Sequence, residues 1–125
     1  MISLDLVCVG KIKEKYLDDA IIEYLKRIKP YCNFKITEIK EINTPDMNKN
    51  LLEEGKNILQ CISDNDYVIT LEIDGNMLDS VTLSKKIEKT FLNYPNITFI
   101  IGGSYGLSSD IKKLSNYRLS FSNMT

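Results

Sequence analysis

The chain of 125 residues contains no histidine. That absence excludes Ser-His-Asp and Cys-His nucleophile systems, HExxH metalloprotease sites and most zinc enzymes. Any chemistry here has to be carried by carboxylates, Lys, Tyr, backbone groups or a reactive cofactor, and no metal is expected. Cysteine is scarce: Cys8, Cys32 and Cys61 lie far apart and form no CxxC pair. No disulfide or zinc framework is indicated, so reduced thiols in a cytoplasmic protein are the expectation. No apolar run approaches the roughly 18 residues that a membrane span needs. The apolar start, residues 1–10, is short, lacks a basic n-region and contains Asp5, so it reads as a first strand and not as a signal peptide. A global basic field is missing too, because the formal net charge is −1. Within residues 11–40, however, eight Lys or Arg stand against five acids. That local excess reads either as a solvated helix face or as a docking patch for a polyanion.

What remains is an ordinary globular composition, 43% hydrophobic and 26% charged, at a length that fits one domain. Residues 2–9 alternate apolar and polar as a strand does. Residues 13–29 put Leu17, Ala20, Ile21, Tyr24, Leu25 and Ile28 on one helical stripe, which Pro30 ends. A second strand is predicted over 34–39, with Phe34, Ile36 and Glu38 on one side. Asn43-Thr44-Pro45-Asp46 is a polar linker, with Asp46 or Asn48 as cap of a helix over 48–63. That helix turns Leu51, Leu52, Gly55, Ile58, Leu59 and Ile62 inward, and close packing is the simplest reason for Gly55. Residues 67–73 form a nearly continuous apolar strand of the kind buried on both faces. Asp74-Gly75-Asn76 reads as a turn. Ser80 or Thr82 caps a helix to about residue 93, with Leu83, Ile87 and Phe91 inward. Residues 96–101 are a second continuous apolar strand that runs into Gly102-Gly103. Ser108 or Ser109 caps a short helix to Leu114, and 117–121 is a fifth strand. This β-α-β-α-β-α-β-α-β order calls for an α/β fold, a mainly parallel sheet with helices on both faces. A helix expected after the fifth strand is not supplied before Thr125.

In open α/β sheets, ligands sit beyond the carboxyl ends of the strands. Three such ends draw attention: Leu71-Glu72-Ile73-Asp74-Gly75, Ile101-Gly102-Gly103 and Phe121-Ser122-Asn123-Met124-Thr125. The run Gly102-Gly103-Ser104-Tyr105-Gly106 lacks both the GxGxxG dinucleotide spacing and the GK[ST] ending of a Walker loop. It reads either as a ligand loop, whose glycines let backbone approach closely, or as a tight turn without a ligand. Glu72 and Asp74 form a candidate carboxylate pair, with the turn at Asp74 as the simpler reading. Met77 and Met124 read as core or pocket-wall residues, and Arg118 as an exposed strand charge.

Several of these motifs, taken together, resemble one enzyme family. They are Val9-Gly10-Lys11 with Lys15-Tyr16, Glu23-Tyr24-Leu25-Lys26-Arg27, Glu54-Gly55 and Leu71-Glu72-Ile73-Asp74-Gly75. The pair Ile100-Ile101-Gly102-Gly103-Ser104-Tyr105-Gly106-Leu107 and Leu119-Ser120-Phe121-Ser122-Asn123-Met124-Thr125 is the specific part. The family is that of the RlmH-type (YbeA-like) ribosomal RNA large-subunit methyltransferases of the SPOUT class, and the resemblance covers the whole chain in order. It implies a parallel α/β fold with a C-terminal trefoil knot, a homodimer, and S-adenosyl-L-methionine as cofactor. It further implies methylation of N3 of a pseudouridine in large-subunit (23S) rRNA on the assembled ribosome. By position, the cofactor contacts carry over to Leu71, Gly103, Ser122, Asn123, Met124 and Thr125, with Ile101 and Gly102 as neighbours. Lys11, Lys13, Lys15, Lys26 and Arg27 are the expected phosphate contacts. Family members continue past the position of Thr125, so the reading expects a single domain truncated before its final helix, with the knot region incomplete. The catalytic base is not identified. The alternative reading is a ribosome-associated cofactor-binding module without catalytic activity.

Overall fold

In the computed structural model, residues 2–10, 26–103 and 106–120 are described, apart from the side chains of Tyr31, Ile73, Asp74 and Ser80. Strand β1 (Ser3–Val9) is followed, after residues 11–25, by a 3-10 turn (Lys29–Tyr31) and β2 (Asn33–Ile39). Helix α1 (Met47–Leu59), β3 (Asp66–Met77), α2 (Ser80–Thr90), β4 (Asn96–Ile101), α3 (Ser109–Leu114) and β5 (Tyr117–Ser120) complete the order. The five strands form one sheet in the order β2-β1-β4-β3-β5, and every pairing is parallel. Parallel neighbours cannot be joined by hairpins, which is why helices alternate with strands and cover both faces.

Alternation along each strand builds two cores. Leu4 and Leu6 of β1, Ile69 of β3, Ile97 and Phe99 of β4 and Leu119 of β5 point to one face, where α2 adds Leu83 and Ile87. Val7 and Val9, Val68 and Ile100 point to the other, where α1 adds Ile58 and α3 adds Ile111. The continuous apolar runs of β3 and β4 follow from this double coverage. The starts of α1, α2 and α3 are each fixed by a side-chain cap. Asp46 accepts from the Lys49 amide at 3.2 Å, Asp79 from Thr82 at 2.6 Å and Ser108 from Ile111 at 3.4 Å. Each cap satisfies an amide that has no partner within its helix.

The parallel α/β architecture is the one the sequence implies, and β4 and α3 occupy the predicted residues. Other boundaries differ for physical reasons. The helix expected over 13–29 falls mostly outside the described residues, as does Phe121 of the fifth strand. Pro30 lies inside the 3-10 turn, which its fixed φ suits. Helix α1 ends at Leu59, short of Ser63, and α2 ends at Thr90, where the Phe91 amide bonds back to Ile87 and Lys89. Asp79, and neither Ser80 nor Thr82, caps α2. Leu52 and Leu59 are exposed, whereas polar Asn50 and Glu54 share the buried face of α1 with Gly55 and Ile58. The expected turn at Asp74-Gly75-Asn76 is instead a continuation of β3 to Met77, with a register shift that displaces residues 72–75. Met77 is 55% exposed and so is no core residue.

Ile69, fully buried in the centre of β3, tests this packing. Ile69→Ala is expected to lower unfolding free energy in urea by about 3 kcal/mol through lost transfer energy and a cavity. Leu92→Ala, at a side chain 81% exposed, should stay within about 0.5 kcal/mol of the parent.

Candidate functional site

The sheet register brings the predicted site segments together. Leu71 on β3 stands opposite Ile101 on β4 and opposite Leu119 on β5. Residues far apart in sequence therefore form one row at the carboxyl end of three adjacent strands. Gly102 and Gly103 follow directly beyond that row. Phe121, Ser122, Asn123, Met124 and Thr125 follow β5 in sequence and lie outside the described residues. Leu71 is half-buried and Ile101 is buried. Met77, opposite Ser120, adds exposed apolar surface to the same end of β3.

The glycine run is a tight turn closed on itself. The Gly106 amide donates to the Gly103 carbonyl at 3.1 Å, the two residues form an antiparallel bridge, and Gly106 has φ +83°. A Cβ on Gly102 would stand 2.6 Å from the Gly106 carbonyl oxygen, and one on Gly103 would stand 2.6 Å from Glu41 Oε1. Gly102 is thus required by backbone packing within the turn, whereas at Gly103 the neighbour is the far end of the Glu41 side chain, which can give way. The turn and ligand readings are compatible, because such a turn presents its backbone at the sheet's carboxyl end.

Helix α1 fastens what surrounds this turn. Buried Glu54 accepts the Ile42 amide at 2.8 Å, and Asn50 Nδ2 donates to the Thr44 carbonyl at 2.9 Å. Those bonds hold the 40–46 connection, and with it Glu41, against Gly103. One position on, a Cβ at Gly55 would lie 2.8 Å from Ser108 Oγ, the cap of α3. The close packing expected of Gly55 therefore seats α1 on the helix that leaves the glycine turn. Burial pushes the Glu54 carboxyl up from its ordinary value, opposed by the Ile42 hydrogen bond and reinforced by the nearby Glu41 charge. Burial, together with Glu38, also pushes the Cys8 thiol up at the end of β1. A thiol held protonated in this way is unsuited to nucleophilic work.

On the same face, Glu72 is buried and ion-paired. Its Oε2 accepts from Thr70 Oγ1 at 2.7 Å and from Arg118 Nε at 2.9 Å, and Lys112 Nζ lies 3.9 Å from Oε1. Arg118 is exposed, as its place on the strand implies, and its guanidinium pairs with the buried Glu72 carboxylate. Of the candidate Glu72–Asp74 pair, the Asp74 side chain lies outside the described residues, and Glu72 is bonded to Arg118. Sequence reasoning missed Glu41, Asn50 and Glu54 as site supports, because apolar periodicity does not register buried polar groups. A signal was present at Glu72, the single charge within the apolar run 67–73.

Residues 2–125 match the family described as "Predicted SPOUT methyltransferase". The chain belongs to the SPOUT methyltransferase family. Among similar proteins, the "Ribosomal RNA large subunit methyltransferase H" of Clostridium botulinum (strain Alaska E43 / Type E3) is 47% identical over 130 residues, covering 98% of this chain and 82% of that relative. The protein of the same name from Streptococcus pneumoniae (strain CGSP14) is 44% identical with the same coverage. As a SPOUT methyltransferase the protein is an enzyme, and its cluster of strand ends is the candidate site for methyl transfer. Among the described residues no group of metal-ligating side chains is found, and no helix is long and apolar enough to cross a membrane.

The upward shift of Glu54 has a defined consequence for this SPOUT methyltransferase. Between the ordinary carboxylate value of 4.5 and the raised one, the folded state keeps a proton that the unfolded state has released. Stability from this group therefore falls as pH rises through that interval. Glu54→Gln keeps an acceptor for the Ile42 amide and removes the titration. The variant's stability relative to the parent, measured by urea denaturation, should rise from about pH 4.5 towards neutrality. A difference that does not change with pH would contradict the assignment.

Proposed function

We propose that this protein transfers a methyl group from S-adenosyl-L-methionine to N3 of a pseudouridine in large-subunit ribosomal RNA. The observation that carries the reading is the row Leu71–Ile101–Leu119 at the carboxyl ends of three adjacent strands, with Gly102 and Gly103 directly beyond it. It is supported by the name of relatives that share 47% and 44% of their residues with this chain. The described part of the site fits such a cofactor. Leu71 and exposed Met77 offer apolar surface for an adenine, the turn offers backbone groups, and a sulfonium needs no metal.

When bound, S-adenosyl-L-methionine supplies an electrophilic methyl group. Leu71, Ile101, Gly102, Gly103 and the segment Ser122–Thr125 would hold it, and the backbone of the glycine turn would orient it. Orientation matters most, since a positioned reactant replaces a bimolecular encounter. The apolar row excludes water from one wall. The N3 proton of the target base has to leave near the transition state, and no residue is assigned as its acceptor. Lys26 and Arg27 are exposed and available for phosphate contacts, the role also proposed for Lys11, Lys13 and Lys15. The reading extends to a single cytoplasmic domain with a knotted C-terminal region, acting as a homodimer on the assembled ribosome.

The test uses the protein expressed from its complete reading frame. Titration calorimetry should detect S-adenosyl-L-methionine, and incubation with ribosomes lacking the modification should add one methyl group at N3 of a pseudouridine, located by nuclease digestion and mass spectrometry. Cofactor binding without transfer would favour the non-catalytic binding module. Absence of binding would overturn both.

A further inference from the structure

Glu72 sits where β3 and β5 lose their common register. Leu71 and Asn76 both pair with Leu119, so residues 72–75 form an excursion of β3 with no counterpart on β5. The excursion is clamped at both ends on the same short stretch of β5. At its start, the Glu72 side chain, 3% exposed, holds Arg118 through Nε at 2.9 Å. At its end, a Cβ on Gly75 would stand 2.9 Å from the backbone of Arg118 and Leu119, and Asn76 Nδ2 donates to the Arg118 carbonyl at 3.3 Å. Arg118 is therefore gripped by its side chain and by its main chain.

The carboxylate also reaches α3. Thr70 Oγ1 bonds Glu72 at 2.7 Å and Ser115 Oγ at 2.8 Å, and Ser115 Oγ bonds the Tyr117 carbonyl at 2.8 Å. Lys112 of α3 stands 3.9 Å from Glu72 Oε1, an atom that accepts no hydrogen bond from the described residues. One buried charge thus joins three segments: the strand that carries Leu71, the helix that follows the glycine turn, and the strand that leads into residues 122–125. A pair between a buried carboxylate and a half-exposed guanidinium is a poor source of net stability, since desolvation of the carboxylate offsets the attraction and solvent screens its partner. What it supplies is a fixed geometry, because carboxylate and guanidinium bond only in restricted orientations.

We propose that Glu72, acting through Arg118, is a positioning residue of the methyl-transfer site, setting the 72–75 excursion and hence the placement of Leu71 relative to Leu119 of β5. This rests on the cofactor reading given above. The experiment compares the parent protein, Glu72→Gln, and the double variant Glu72→Met/Arg118→Met. Three quantities are measured: thermal midpoint, S-adenosyl-L-methionine affinity by calorimetry, and amide hydrogen exchange without ligand. The double variant is expected to keep or raise the parent's thermal midpoint while binding the cofactor at least tenfold more weakly. Its amides at 71–77 should exchange at least tenfold faster, with those of β1 and β4 unchanged. Glu72→Gln should show the same exchange pattern in smaller degree. A folded double variant with parental affinity, or with parental exchange at 71–77, would overturn the proposal. A parent that binds no S-adenosyl-L-methionine would instead overturn the cofactor reading, and the exchange comparison would still decide whether Glu72 sets the excursion.

Discussion

Parallel pairing of β3 with β4 on one side and β5 on the other is the constraint on which the site depends. A parallel strand in the middle of a sheet needs a partner on each edge and cover on each face. At Leu71 both edges are satisfied at once, by Ile101 and by Leu119. That shared register, and nothing local to any one loop, brings sequence-distant residues into a single row. The helices on the two faces then seal Ile69, Ile97 and Leu119 on one side and Val68 and Ile100 on the other.

Beyond the row the pairing cannot continue unchanged, because β3 carries residues 72–75 that β5 does not match. The structure resolves this mismatch with polar groups in an otherwise apolar setting. Glu72 is desolvated but bonded by Thr70 and Arg118, consistent with the rule that buried charge is tolerated only when paired. A similar solution operates on the other flank of β4. There Glu54 and Asn50 bond the backbone of the 40–46 connection, and the glycine turn closes through its own backbone. The two flanks of the candidate site are therefore stiffened by buried polar contacts from secondary structure, and the reactive end is left to loops.

Much of this was legible from residue patterns, and the reasons for the rest are specific. The apolar runs at 67–73 and 96–101 announce buried parallel strands, since only strands covered on both faces dispense with polar alternation. Ser108 at the head of α3 and Asp46 at the head of α1 are readable because capping demands a short polar side chain there. The register of β3 against β5 is not readable, because it depends on tertiary pairing, and so the excursion at 72–75 looked like a turn. Asn50 and Glu54 were invisible to an apolar count, since their burial depends on backbone groups at Ile42 and Thr44 that local sequence does not bring near. The glycines at 102 and 103 were legible as special positions. The physical demand at Gly102, from the backbone of Gly106, belongs to the folded turn.

The central claim is that ligand binding occurs at the carboxyl end of β3, β4 and β5. The opposite end of the sheet offers a competitor, an open cavity of about 410 Å³ lined by Asp64, Asp66 and Tyr94 among others. Amide chemical-shift mapping of the isotope-labelled protein during titration with S-adenosyl-L-methionine distinguishes the two most directly. The account predicts shifts concentrated at Leu71, Gly102, Gly103 and the residues after Ser120, with Asp64, Asp66 and Tyr94 unmoved. Shifts centred on Asp64, Asp66 and Tyr94, with the Leu71 and Gly102–Gly103 amides unchanged, would contradict it.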